Sequence, residues 1–184
     1  SGVKLLIVNN ALTADQVQLL NARNDADVMG SMVANDEQAG YLMLTDLLRQ
    51  HGPAKPGESI DLLAFSGTKT TPAAQLREKG LRRALAEHPE VRLRQLVSGE
   101  WSRQRAFEQA VLLFKRYPQT ALVWSANDEM ALGAMQALQD SGRVPGQEVL
   151  FSAVNSSPQI LQARLDGRLS TLVAGHFTLG GWAM

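Results

Sequence analysis

The chain has 184 residues, 45% hydrophobic and 20% charged, a balance that suits one ordinary globular core or a little more. Lysine plus arginine and aspartate plus glutamate stand at 18 each, so no field of one sign exists to draw in a phosphate backbone or an anionic membrane surface. The absence of cysteine excludes disulfides, thiolate nucleophiles and cysteine-held zinc, and no apolar run approaches the roughly 20 residues of a membrane span.

No basic, apolar, small-residue leader opens the chain, and any targeting segment is expected to lie outside it. The first element is VKLLIV at 3–8, a continuous apolar run that predicts a strand covered on both faces. TADQVQLLNARN at 13–24 predicts a short helix, ADVMGSMVAN at 26–35 a strand or extended connection, and DEQAGYLMLTDLLRQHG at 36–52 a helix that stops at Gly52. The linker-like HGPAKPGES at 51–59 then reads as a surface turn.

From there β and α patterns alternate. Strands are predicted at 60–65, 92–97, 121–126, 148–154 and 170–174, and helices at 71–88, 102–117, 128–142 and 157–167. Ala106, Phe107, Ala110, Val111 and Phe114 share one helical stripe, and Ala131, Ala134, Met135 and Leu138 share another. Thr71 before Pro72, Ser157 before Pro158, Ser102 and Asp128 mark helix starts, while Gly142 and Gly167 mark stops. The order predicts an α/β fold, a doubly wound parallel sheet with flanking helices.

In such a sheet, ligands meet the loops at the carboxyl ends of the strands. Here that edge collects residues 66–71, 98–102, 127–128 and 155–157, rich in hydroxyl and amide groups with one indole, which suits a polar, neutral ligand. Enzymatic patterns fare poorly. GTKT at 67–70 lacks the upstream glycine of a phosphate loop, neither G-x-S-x-G nor G-x-G-x-x-G occurs, and His51, His88 and His176 are scattered. Asp36-Glu37 and Asp128-Glu129 sit at helix starts, where the helix dipole accounts for them. The expectation is a protein that is not an enzyme and uses no metal or cofactor.

Three stretches together, SGEWSRQRAFEQAVLLFKRYPQTALVWSANDEMALGAMQALQDSG, AAQLREKGLRRAL and SPQILQARLDGRLSTLVA, strongly resemble the type 1 periplasmic binding proteins, above all the ribose-binding-like sugar binders. The resemblance implies a clamshell of two α/β lobes, joined by three crossings, that closes on a small ligand without transforming it. On that plan residues 1–34 are a remnant of the N-terminal lobe, 35–173 one complete C-terminal ligand-binding lobe, and 174–184 the crossing back. Roughly the first third of a family member and its last segment are then expected to lie outside the chain. Residues 1–34 are expected to expose apolar faces.

The resemblance also implies site residues. Arg77 stands for an arginine that reaches ligand hydroxyls, Trp101 for an aromatic that packs on a sugar face, and Asn127 for an amide that bonds a hydroxyl, with Asp128 left to cap its helix. Asn155 stands where ribose-type members carry aspartate, and Asn9 and Asn10 where the first lobe offers an aspartate and an arginine. The usual glutamine of the second crossing falls on Gly175, with His176 beside it as a substitute contact. Those exchanges leave Arg77 without a visible counter-charge, so a modified or acidic sugar is expected at least as readily as ribose. The implied role is an extracytoplasmic, periplasmic solute-binding protein. Its partners would be a small polar ligand and an ABC importer's permease or a membrane sensor, with no nucleic acid. The alternative is the ligand-sensing domain of a LacI-type regulator or of a membrane-bound sensor.

Overall fold

The structure, a computed structural model, describes residues 4–8, 12–22 and 27–174. They belong to two compact units that meet in sequence between Asn35 and Asp36.

The first unit holds β1 (Lys4–Val8), α1 (Ala14–Ala22) and β2 (Asp27–Met32). The strands pair in parallel from Lys4 opposite Asp27 to Val8 opposite Met32, with a register shift between Leu5 and Leu6. β1 is not covered on both faces: Leu6 is 47% exposed and Met29 beside it 64%. A two-stranded ribbon with one helix among the described residues has too little material to bury both sides.

The second unit, Asp36–Ala174, carries α2 (Asp36–His51), β3 (Ile60–Ser66), α3 (Pro72–Glu87), β4 (Val91–Ser98) and α4 (Arg103–Arg116). After them come β5 (Leu122–Ser125), α5 (Asp128–Asp140), β6 (Leu150–Val154), α6 (Pro158–Leu165) and β7 (Thr171–Val173). The five strands form one all-parallel sheet in the order β4-β3-β5-β6-β7. The chain steps outward from β3 to β4, then crosses back over β3 to β5. With right-handed crossovers this reversal puts α3 on one face and α4, α5 and α6 on the other. It also places a topological switch point between β3 and β5.

Burial follows position. Every residue of β3 is buried, as expected for a central strand roofed on both sides, whereas edge strand β4 exposes Arg92 and Gln95. In α4, Ala106, Ala110 and Phe114 of the predicted stripe are buried and Phe107 and Val111 partly so; Leu113 completes the buried face. Ala131, Ala134, Met135 and Leu138 of α5 are all buried. Trp124, fully buried on β5, donates its indole N–H to the Gly40 carbonyl at 3.0 Å, which ties α2 to the sheet.

α2 and α3 cross at glycines. A Cβ on Gly80 would lie 1.9 Å from the Glu37 carbonyl oxygen, so the two backbones meet where no side chain fits. That crossing brings the start of α2 against the middle of α3, and with it Asp36 against Arg77.

The far end of α2 is braced to β7. The Thr171 hydroxyl donates to Asp46 at 2.7 Å, and the Gln50 amide donates to Asp46 at 2.8 Å and to the Ser170 carbonyl at 2.9 Å. Burial alone would push the Asp46 carboxyl up, but donors from Thr171, Arg49 and Gln50 together outweigh it and hold the group below its ordinary range. A depressed folded-state value means the stabilisation is complete above about pH 4 and is lost as pH falls through the folded value. We expect the urea unfolding free energies of the wild-type protein and of Asp46→Asn to differ by less than about 1 kcal/mol at neutral pH, given the partly exposed setting. The gap should close on acidification; a gap that stays constant to about pH 3 would remove Asp46 from the acid response.

Candidate functional site

The switch point collects four loops: 66–71 after β3, 98–102 after β4, 126–127 after β5 and 155–157 after β6. Three described residues other than glycine have positive φ, and all lie on these loops: Glu100 at 51°, Trp101 at 63° and Asn155 at 90°. Left-handed backbone costs a side-chain-bearing residue roughly 1–2 kcal/mol, and such strain persists where the surroundings over-determine it, characteristically at binding sites.

Arg77 is at the centre. Its side chain is 6% exposed, its Nε donates to Asp36 Oδ1 at 2.7 Å, and its Nη2 lies 2.7 Å from the same oxygen. Nη1 donates to the Ala126 carbonyl at 2.5 Å, at the end of β5. The expectation that Arg77 lacks a counter-charge is therefore corrected: Asp36, buried likewise, supplies it. The dipole reading of Asp36-Glu37 is incomplete for the same reason, since Asp36 faces Arg77 while Glu37 pairs with Lys79 at 2.7 Å and Arg83 at 2.9 Å.

Trp101 stands over the same guanidinium, whose carbon lies 5.8 Å from the ring centroid. The ring is half-buried and packs against Gly67, where a Cβ would come within 2.0 Å of it. Only glycine at 67 lets the indole lie there. The left-handed turn at Glu100 and Trp101 aims the ring back over the end of β3 and precedes the helix cap Ser102, whose hydroxyl accepts from the Arg105 N–H.

Asn127, not Asp128, caps α5: its Oδ1 accepts from the Met130 N–H at 2.9 Å, and its Nδ2 donates to the Trp101 carbonyl at 3.3 Å. The expected division of labour between the two is corrected. Cap geometry requires the extended backbone that Asn127 has, with φ −148° and ψ 174°, and Asp128 is already inside the helix. Asp128 accepts instead from Asn155 Nδ2 at 2.8 Å, and Glu129 from Arg103 Nε at 2.9 Å.

Several buried polar oxygens at this edge have no protein partner: Ser66 Oγ, Asn155 Oδ1 and Ser157 Oγ. Buried polar groups are ordinarily bonded, so these oxygens, at the carboxyl ends of β3 and β6 with β5 between them, are unusual; Ser152 Oγ within β6 and Gln109 Oε1 on α4 are unpartnered too. The structure thus brings Arg77, Trp101, Asn127 and Asn155 to one edge; Asn9, Asn10 and His176 lie outside the described residues. Sequence reasoning missed Asp36 as the partner of Arg77 and the close approach of the indole at Gly67, whereas Ser66, Asn155 and Ser157 lie in the loops it singled out. For Asp36 no local signal existed, because 41 positions separate it from Arg77.

An open groove of about 540 Å³ lies elsewhere, between α4, α5 and α6, with Arg103, Phe107, Gly133 and Gln159 among its walls. It contains none of the four residues, and Arg103 in it is already held by Glu129 and Gln159. The three strained residues lie instead on loops at the carboxyl edge of the sheet, as do three of the unpartnered oxygens. Among the described residues no group of three or more His, Cys, Asp or Glu is placed to hold a metal, and no helix is long and apolar enough to cross a membrane.

In doubly wound lobes, a polar edge at the switch point is where small molecules bind. The chain belongs to the family of the periplasmic binding protein domain, whose model matches residues 3–184. It is 27% identical over 120 residues to the galactofuranose-binding protein of Escherichia coli, covering 64% of this chain and 38% of that one. It is 29% identical over 146 residues to the ribose import binding protein of Salmonella typhimurium, covering 78% of this chain and 46% of that one. A solved periplasmic sugar-binding protein from Pseudomonas fluorescens superposes with a TM-score of 0.87 at 65% identity, over 98% of this chain and 52% of that one. The chain spans about half the length of these relatives, or less.

Proposed function

We propose that the chain is the ligand-binding core of a periplasmic solute-binding protein that delivers a neutral sugar to an ABC importer. The observation that carries the reading is the switch-point edge. There a guanidinium neutralised by its own aspartate and a half-buried indole face stand together, with unpartnered oxygens at the carboxyl ends of β3 and β6. An aromatic face covers the C–H surface of a pyranose or furanose, and hydroxyls bond amide and hydroxyl groups at the rim. The relatives named above are sugar-binding or import binding proteins by name, and none of the three supports the regulator or sensor reading.

On this proposal Arg77, Trp101, Asn127 and Asn155 are the second lobe's contacts. Asn127 serves twice, capping α5 and offering the remaining Nδ2 hydrogen to the ligand. Asn9, Asn10 and His176 are the contacts from the other lobe and the crossing, with residues 1–34 and 174–184 assigned there and 35–173 to the complete lobe. Among the described residues the site assembles no nucleophile with a base; on this reading the ligand leaves unchanged, and the partner outside the pocket is the importer's permease.

The test is a calorimetric titration of the full-length protein with D-ribose, galactofuranose and further neutral aldoses. Saturable binding of at least one is expected. Trp101→Ala should weaken it tenfold or more, equivalent to about 1.4 kcal/mol, in a variant that still unfolds cooperatively in urea but at a lower midpoint, because the ring is half-buried. Wild-type protein that binds none of them, or a Trp101→Ala variant that binds as wild type, would contradict the reading.

A further inference from the structure

We propose that Asp36 sets the charge of the ligand the pocket accepts: by neutralising Arg77 from within the protein, it selects neutral sugars over sugars bearing a carboxylate. The inference rests on the sugar-binding reading above and concerns a residue outside the proposed contacts. Arg77 has five N–H groups, and three are directed at Asp36 and the Ala126 carbonyl, which leaves two for a ligand. These two bond hydroxyl oxygens without demanding a negative charge, because the carboxylate 2.7 Å away already compensates the guanidinium.

A uronate entering this edge would bring a second carboxylate beside a closed pair. Its desolvation would not be repaid, and Asp36 would repel it. The other charged neighbours are Asp128 and Lys69. Asp128 is buried at the adjacent loop with Asn155 Nδ2 on its carboxylate, a second acid at this edge, whereas Lys69 on the loop after β3 is exposed, so water and salt screen its charge. Asp36 is also the first residue of the second unit, so the element that sets the charge enters directly from the connection between units.

The experiment compares wild type, Asp36→Asn and Arg77→Gln in the full-length protein, by calorimetry and thermal shift. The probes are a panel of neutral aldoses, D-galacturonate and D-glucuronate as anions, and D-glucosamine as a cation. Wild type should respond to neutral aldoses and not to uronates. Asp36→Asn should gain uronate response, shifting the ratio of anionic to neutral affinity by at least about tenfold, the effect expected when a buried charge loses its partner. Arg77→Gln, which leaves the carboxylate, should shift toward D-glucosamine and remain blind to uronates, and it carries the test if Asp36→Asn does not fold. Uronate binding by wild type, or unchanged charge preference in whichever variant folds, overturns the proposal. Wild type that responds to no sugar, while Asp36→Asn still gains a uronate response, would sink the sugar-importer reading and leave the role of Asp36 standing.

Discussion

Replacing Arg77 with methionine is expected to destabilise the Asp36–Ala174 unit by about 3–5 kcal/mol, measured as the loss in urea unfolding free energy. The side chains of Arg77 and Asp36 are each 6% exposed, so the substitution leaves a carboxylate in the interior without a partner. It also removes the donor to the Ala126 carbonyl, which fixes the end of β5 just before the cap of α5. Packing offsets little of this, because methionine fills the aliphatic stem's volume and none of the guanidinium's hydrogen bonds.

The double variant Asp36→Leu/Arg77→Met should recover most of the loss. A buried ion pair replaced as a whole by apolar groups is often neutral in stability, whereas half a pair is costly. A single-variant cost below about 1 kcal/mol would mean that the pair is hydrated in solution and behaves as a surface salt bridge. Recovery in the double variant would locate the cost in the orphaned charge and not in the shape of the side chain.

Gly80→Ala is the second large effect, expected at about 3 kcal/mol, the upper end of the range for overpacking. Helix propensity opposes it, since alanine is favoured over glycine in a helix interior by about 1 kcal/mol. Sterics win because the added methyl would sit 1.9 Å from the Glu37 carbonyl oxygen and 2.6 Å from the Tyr41 nitrogen. Both are backbone atoms of α2, held in their own helix, so neither can turn aside and the helices must part. Parting them pulls Asp36 from Arg77. The variant should therefore lose sugar affinity as well as stability, read by urea unfolding and calorimetry on one preparation. A Gly80→Ala variant more stable than wild type would show that the crossing yields easily and that propensity dominates.

Much of this was legible from residue order. Apolar runs of strand length alternating with 3.6-residue stripes dictated the doubly wound class, and Pro72, Pro158, Ser102, Gly52, Gly142 and Gly167 marked helix ends where the structure has them. The carboxyl edge was legible too, because a parallel sheet leaves its loops and helix starts at that end whatever the side chains are. What failed was partnership. Asp128 resembled a cap by type and position, yet the role fell to the residue before it, because capping depends on φ and ψ at one position and not on composition.

Length, neutral charge balance, element order and the polar character of the switch-point loops followed from the sequence alone, since each depends on local pattern or composition. Tertiary structure decided the rest. The Asp36–Arg77 pair exists only because α2 and α3 cross at Gly40 and Gly80, a contact set by backbone approach over some 41 positions of chain. That crossing turns an apparently unpaired arginine into a compensated one, which removes the ground for favouring an acidic or modified sugar. Local sequence carries propensity and period; which charges meet depends on how the layers pack, and burial then fixes what the meeting is worth.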